Sequence, residues 1–199
     1  MLGRVVGRFT LPVVLAGISS LGLAIRATAQ SSGKMANEQA GASKKLAPAD
    51  RQFIRSASEG GLAEIELGKL ATEKAASPEV KQFGQRMVDD HTKANDQLKQ
   101  VASEKGVTIP EKLSPKDAAT KARLEKLSGK AFDRAFMQVM VADHVKAVNE
   151  FRTESKNAKD PDVKNFASQT LPTLEDHLKQ AKSIAPKTGK QMSQQSGSH

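Results

Sequence analysis

The stretch SPEVKQFGQ at residues 77–85 returns, conservatively changed, as DPDVKNFAS at residues 160–168. Each copy sets a polar residue before a proline and follows it with an acid and a valine. That order opens a helix: Ser or Asp suits the N-cap, and Pro at the first helical position gives up an N–H that has no partner there. Apolar residues at helical spacing lead up to both copies and continue beyond them, so each marks the turn of a helical hairpin. Both copies run on to an Asp-His pair, in MVDDHTKANDQLK (residues 87–99) and LEDHLKQAK (174–182), and a third pair lies in VADHVKAVNEF (141–151). Three of the four histidines thereby fall on long amphipathic helices.

Pro48-Ala49-Asp50 starts a first helix that runs to about Ala76, and Pro78 starts a second that ends near Lys105 at Gly106. A connection from Gly106 to Gly129 holds another Ser-Pro start and a short helix, Pro115 to Ser128. The third long helix spans about Lys130 to Asn157 and the fourth Pro161 to about Ala185, where Pro172 is expected to kink it or break off its first two turns. The pattern predicts an all-α fold, a four-helix bundle of two helical hairpins with a long helix-containing connection. Pro78 precedes His91 by 13 residues and Pro161 precedes His177 by 16, while Glu64 lies 14 before Pro78 and His144 17 before Pro161. The hairpins read as copies, the second longer by about one turn in each arm.

At the start of the chain Arg4 and Arg8 precede an apolar run from Leu11 to Ile25, followed by Ala27-Thr28-Ala29. This predicts a signal peptide over residues 1–29, cut before Gln30. The run is shorter than the roughly 20 residues a spanning helix needs, so no stable membrane insertion is expected after cleavage. A flexible linker is expected over 30–47, the bundle over 48–185, and a disordered tail carrying His199 over 186–199. Without cysteine there are no disulfides, thiolate ligands or lipid attachment. The expected location is the periplasm or outside of a bacterial cell. The formal charge of +9 becomes +6 once Arg4, Arg8 and Arg26 leave, 28 basic residues against 22 acidic. The lysines are spread among glutamates, and no Trp or Tyr is present to stack on bases, so nucleic acid is not an expected partner.

In an antiparallel hairpin, residues equidistant from the turn share a depth. The midpoint of Glu64 and His91 falls between Ser77 and Pro78, and that of His144 and His177 between Asp160 and Pro161. Helical spacing adds direction, placing His91 with Phe83, Met87 and Leu98, His144 with Phe136, Met140 and Val148, and His177 with Leu174, Ala181 and Ile184. Glu64 shares a face with Phe53, Ile54, Ala57, Ile65 and Ala71. One ionisable group per helix is therefore expected to converge inside the bundle. Such burial is costly unless something pairs with the groups, and a divalent transition metal does so without cysteine. Glu64, His91, His144 and His177 are the candidate ligands, and zinc, iron, copper or nickel the candidate ions. Asp90, Asp143 and Asp176 point about 100° away and are expected on solvated faces, with support of a histidine ring nitrogen, or ligation by one of them, as the alternative. Asp133 is expected to cap or pair near a helix start. The rival reading is a metal-free envelope bundle, structural or interacting, whose buried histidines form a pH-responsive network. A third is a peripheral protein laying basic helical faces on anionic lipid.

Taken together, GLAEIELGKLA (61–71), FGQRMVDDH (83–91), LSGKAFDRAFMQVMVADH (127–144) and LPTLEDHL (171–178) resemble the secreted bacterial family designated domain of unknown function 4142, of the ferritin-like group. The resemblance spans about Ala49 to Ala185. It implies a ferritin-like four-helix bundle and an exported, often stress-linked protein, with no established reaction. Ferritin-like di-iron proteins draw Glu from two helices and Glu-x-x-His from the other two. Here Val88, Val141 and Leu174 stand three residues before the histidines, and His144 takes the place of a Glu. One His-rich mononuclear site is the expectation, serving metal sequestration or, with a coordination position left open, a redox or hydrolytic step.

Overall fold

The computed structural model describes residues 46–190, with side chains described as far as Ala185. The expected signal peptide, the linker as far as residue 45 and residues 191–199 lie outside the described residues. The described chain is five helices and no strand: α1 (Pro48–Lys74), α2 (Pro78–Glu104), α3 (Pro115–Glu125), α4 (Gly129–Asn157) and α5 (Pro161–Lys190). Two ends differ from expectation. α3 stops at Glu125, where Leu127 N–H turns back to the Leu124 carbonyl at 2.9 Å. α5 runs unbroken through Pro172 and on past Ala185. Pro172 is exposed, so the carbonyl that loses its helical partner faces water.

Two buried aspartates fix how the hairpins dock. Asp133, near the start of α4, accepts hydrogen bonds from the Ala76 and Ser77 N–H groups of the α1–α2 turn at 3.0 and 2.9 Å. Asp50, at the start of α1, accepts from the Lys159 and Asp160 N–H groups of the α4–α5 turn, the latter at 2.7 Å. α4 therefore begins at the end of the bundle where α1 finishes. α1 and α5 run one way and α2 and α4 the other; α1 packs on α2 and α4, and α5 on α4 and α2. The connection must cross the length of the bundle to reach α4. α3 lies on that crossing against α1 and α4, held by Lys121 to Glu66 at 3.0 Å and by Lys74 Nζ donating to the Glu125 carbonyl at 2.7 Å. Two antiparallel hairpins joined by one long crossover make the ferritin-like bundle expected from the sequence.

The clamps also correct one expectation. Asp50 stands 28 residues before Pro78 and Asp133 28 before Pro161, so clamp and turn are equally far apart in the two hairpins, and the extra two and three residues of α4 and α5 over α1 and α2 lie outside that span. The two turns lie at opposite ends, and a layer of side chains set off-centre is nearer one turn than the other. At 1.5 Å per residue, the three-residue difference between the two turn distances is about 4.5 Å, which sets the layer about half that from the midplane. Ser77, expected to cap α2, makes no side-chain cap bond; Asp133 serves its N–H from the neighbouring helix. The later starts are capped as expected, Ser114 Oγ accepting from Asp117 N–H at 3.2 Å and Asp160 Oδ1 from Asp162 and Val163 N–H at 3.0 and 3.3 Å.

The core divides into two apolar layers. Phe83, Met87, Leu124, Phe132, Phe136 and Met137 fill the one nearer the α1–α2 turn, and Phe53, Ile54, Leu98, Val163 and Ala167 the one nearer the α4–α5 turn. Each large side chain so buried contributes about 1.5–3 kcal/mol. Glu64, His91, His144 and His177 form the belt between them. On α1, Ala57 and Ile65 are only half-buried, and Gly61, Leu67 and Gly68 take the inner face instead. A Cβ on Gly68 would stand 2.6 Å from the Gly84 carbonyl oxygen, so the α1–α2 crossing depends on residues without side chains. Gly106, at φ 61°, ends α2 with Val107 N–H returning to the Ala102 carbonyl at 2.8 Å, a left-handed cap that glycine adopts without strain.

Candidate metal centre

The belt places one imidazole on each of α2, α4 and α5. Ring centroids are 5.7 Å apart for His91 and His144, 5.4 Å for His91 and His177, and 5.3 Å for His144 and His177. One ring nitrogen from each lies within 4.8 Å of the others. All three rings are buried, His177 at 0 % exposure. The Phe83 ring stands edge-on to His144 and His177 at 6.4 and 6.5 Å between centroids, forming an apolar wall.

The partners of the outer nitrogens decide the tautomers. His144 Nδ1 lies 2.9 Å from the Met140 carbonyl, which can only accept, so Nδ1 carries the proton and Nε2 is bare. His177 Nε2 lies 2.8 Å from Asp90 Oδ2 and donates to it, which leaves Nδ1 bare. These two bare nitrogens face each other at 3.4 Å. With both rings neutral the contact sets lone pair against lone pair, and no hydrogen bond spans it. His91 Nε2 is a third buried nitrogen without a partner.

Protonation is an expensive remedy. Burial and the neighbouring imidazoles push His91 down to about 3, and burial pushes His144 down to about 4. His177 is also lowered, by burial, against the pull of the Asp90 hydrogen bond. Asp90 stays ionised: burial would raise it, but the hydrogen bonds from His177 and Arg86 hold it below its ordinary value. Arg86 braces it, donating from Nε to Asp90 at 3.2 Å, from one terminal nitrogen to Asp176 at 2.8 Å and from the other to Gln180 at 2.8 Å.

Of the four residues expected to converge, the structure brings the three histidines together. Glu64 is buried beside them but stands at the other edge of His144, its Oε1 3.8 Å from Nδ1, outside the group whose nitrogens meet. Its carboxyl is raised well above the ordinary range by burial, then by Asp143 and Asp117, and Oε2 has no partner. The three acids that precede the histidines separate. Asp90 supports His177, the half-buried Asp143 lines a cavity, and the exposed Asp176 pairs with Arg86. Arg86 escaped the sequence reading; its signal was the spacing of four to Asp90, which sets the pair on one helix face. Asp133 proves to be a cap, on a turn of the other hairpin.

No described helix is long and apolar enough to cross a membrane. The fold is similar to a DUF305 fragment from Deinococcus radiodurans, at a TM-score of 0.63 and 19 % identity over 71 % of this chain and 98 % of that one. It is similar as well to CopM, solved in silver-bound and Cu(I)-bound forms. Each superposes at a TM-score of 0.56, with 20 % and 21 % identity, over 67 % of this chain and 93 % of CopM. No curated protein matches the sequence. Residues 35–184 match the family described as Domain of unknown function (DUF4142), and the chain belongs to that family.

Proposed function

We propose that this chain is an exported metal-binding bundle in which His91, His144 and His177 take one copper ion, preferentially as Cu(I). The observation that carries the reading is the pair of bare, buried nitrogens facing each other at 3.4 Å. Two nitrogens bound to one ion at 2.0–2.1 Å, at tetrahedral to trigonal angles, stand roughly 3.3–3.6 Å apart. A cation between them turns a repulsion into two bonds, and His91 Nε2 is the third donor to hand. Asp90 then orients His177, and the Met140 carbonyl orients His144, as the outer partners of metal-bound imidazoles do.

Charge favours a monovalent ion. The three donors are neutral, Glu64 is held toward its neutral form, and Asp90 is the one carboxylate bonded to a donor ring, so each further positive charge would enter a dry layer with little to balance it. Imidazole suits copper, zinc, iron and nickel alike, and the silver- and copper-bound forms of CopM are consistent with the copper choice. A metal-free histidine network would need a proton in the same gap, and burial opposes that proton at neutral pH.

The test is to purify the chain from Gln30 without an affinity tag, measure its metals by elemental mass spectrometry beside His144→Ala, and titrate both with Cu(I) and Zn(II). Near-stoichiometric copper in the parent, lost in the variant, is expected. An empty parent that also declines added Cu(I) would refute the reading.

A further inference from the structure

A cavity of about 190 Å3 opens beside the histidines, walled by α1, α2, α4, α5 and the start of α3. Its lining runs from exposed Gly60, Lys116 and Lys146, through half-buried Asp117 and Asp143, to buried Glu64, His91 and His144. His177 is not part of the lining; the cavity reaches the centre at His91 and His144. On the opposite side the bonded lattice of Arg86, Asp90, Asp176 and Gln180 covers His177.

We propose that this cavity is the route by which a metal cation reaches the histidines, with Asp143 as the carboxylate that receives it near the mouth and Glu64 as the buried carboxyl that releases its proton to the arriving cation and hands it on to His91. The proposal rests on the histidines binding an ion. Five acids line the cavity, Glu59, Glu64, Asp117, Asp143 and Glu150, against two lysines. Asp117 is engaged with Ser114 and Glu150 with Ser56, whereas Glu64 Oε2 is free of any partner although the residue is 6 % exposed. His91 Nε2, on the same lining and in a residue 8 % exposed, is likewise unpartnered. A buried carboxyl oxygen and a buried imidazole nitrogen, both without partners in residues that line one cavity, are the two ends of a transfer step. The lysines oppose a cation at the mouth, but both are exposed on flexible stems and can swing into solvent.

A conduit acts on arrival and departure together, so its signature differs from that of a ligand. The experiment mixes the metal-free chain rapidly with Cu(I) in acetonitrile-containing buffer, follows loading by near-ultraviolet absorbance, and measures affinity separately by chelator competition. Asp143→Asn and Glu64→Gln, both close in shape to the parent, are compared with it, and circular dichroism checks that each is folded. Loading slowed on the order of tenfold in either variant is expected, with affinity within about twofold because release slows equally. The parent's loading should slow with added salt more than the variants' does.

Variants that load at the parent's rate would overturn the route and leave the histidine site standing. Weaker binding in Glu64→Gln with unchanged loading would overturn it too, making Glu64 a ligand. A parent that takes up no ion would remove the histidine site and the route together.

Discussion

Lowering the pH of the metal-free protein from 6 to 5 is expected to cost up to about 3 kcal/mol of folding stability. The three histidines are held below their ordinary 6.5 in the fold, His91 to about 3 and His144 to about 4. The unfolded chain therefore takes up protons that the folded one refuses. Their contribution is full above 6.5 and is lost as the pH falls from there toward the folded values. Glu64 works the other way, since its raised carboxyl keeps a proton in the fold that the unfolded chain has released above 4.5. Its contribution is full below 4.5 and is lost as the pH rises through the folded value. Asp143, also raised by burial, acts in the same direction as Glu64. Asp90 is lowered from 3.8 and so does not titrate in this window. Unfolding between pH 5 and 6 then takes up close to two protons at His91 and His144, with His177 adding to the uptake and Glu64 and Asp143 opposing it. Two protons, at about 1.4 kcal/mol per proton per pH unit, set the upper scale of the slope. Urea unfolding across this range measures it directly. Glu64→Gln should steepen the slope, and His91→Gln should flatten it by about 1.4 kcal/mol per pH unit. A parent whose stability is flat or rises on acidification through this range would refute the neutral-histidine assignment, and with it the facing lone pairs.

Asp90→Ala should weaken metal binding about 10–100-fold with helicity unchanged, because His177 loses the acceptor that fixes its tautomer; competition against a chelator of known affinity measures it. Asp133→Ala should cost about 2–4 kcal/mol in urea unfolding, since two N–H groups in the α1–α2 turn lose their acceptor, and Asp50→Ala should cost a similar amount at the other turn. Gly68→Ala should destabilise by about 1–3 kcal/mol, its Cβ being driven toward the Gly84 carbonyl. Gly60→Ala, with nothing within 4 Å of the added carbon, should instead stabilise by about 0.4–1 kcal/mol. Thermal unfolding of the two side by side separates crowding at the crossing from helix propensity.

The helices and the depth of the histidines were legible because both rest on local rules. Pro48, Pro78, Pro115 and Pro161 begin α1, α2, α3 and α5, and a spacing of 3.6 residues carries His91, His144 and His177 inward whatever the bundle's topology. Glu64 was legible only in part. Periodicity buried it, but which edge of His144 it would meet depends on how α1 rolls against α2, and Gly68 and Gly84 set that roll through an approach no hydropathy pattern encodes. Arg86 and Asp90 were harder still, since the value of Asp90 lies in His177 on another helix.

The unequal distances from turn to site show how topology enters a count along the chain. Turn-to-site distances of 13 and 14 residues in one hairpin and 16 and 17 in the other look like an insertion if both turns lie at the same end. Asp50 and Asp133, each 28 residues before its proline, clamp the turn of the opposite hairpin. That exchange is possible only when the turns lie at opposite ends. An equal clamp-to-turn span then forces a site layer off the midplane to count differently from the two turns, so the unequal counts record the crossover itself. The same duplication explains why the donors are unequal. A twofold copy would repeat its residues at equal distances from each turn, placing Gly61 opposite the equivalent of His144, and Leu174 opposite that of His91. The three histidines therefore form a layer that breaks the repeat, and the α1 position left without an imidazole is the one that borders the cavity.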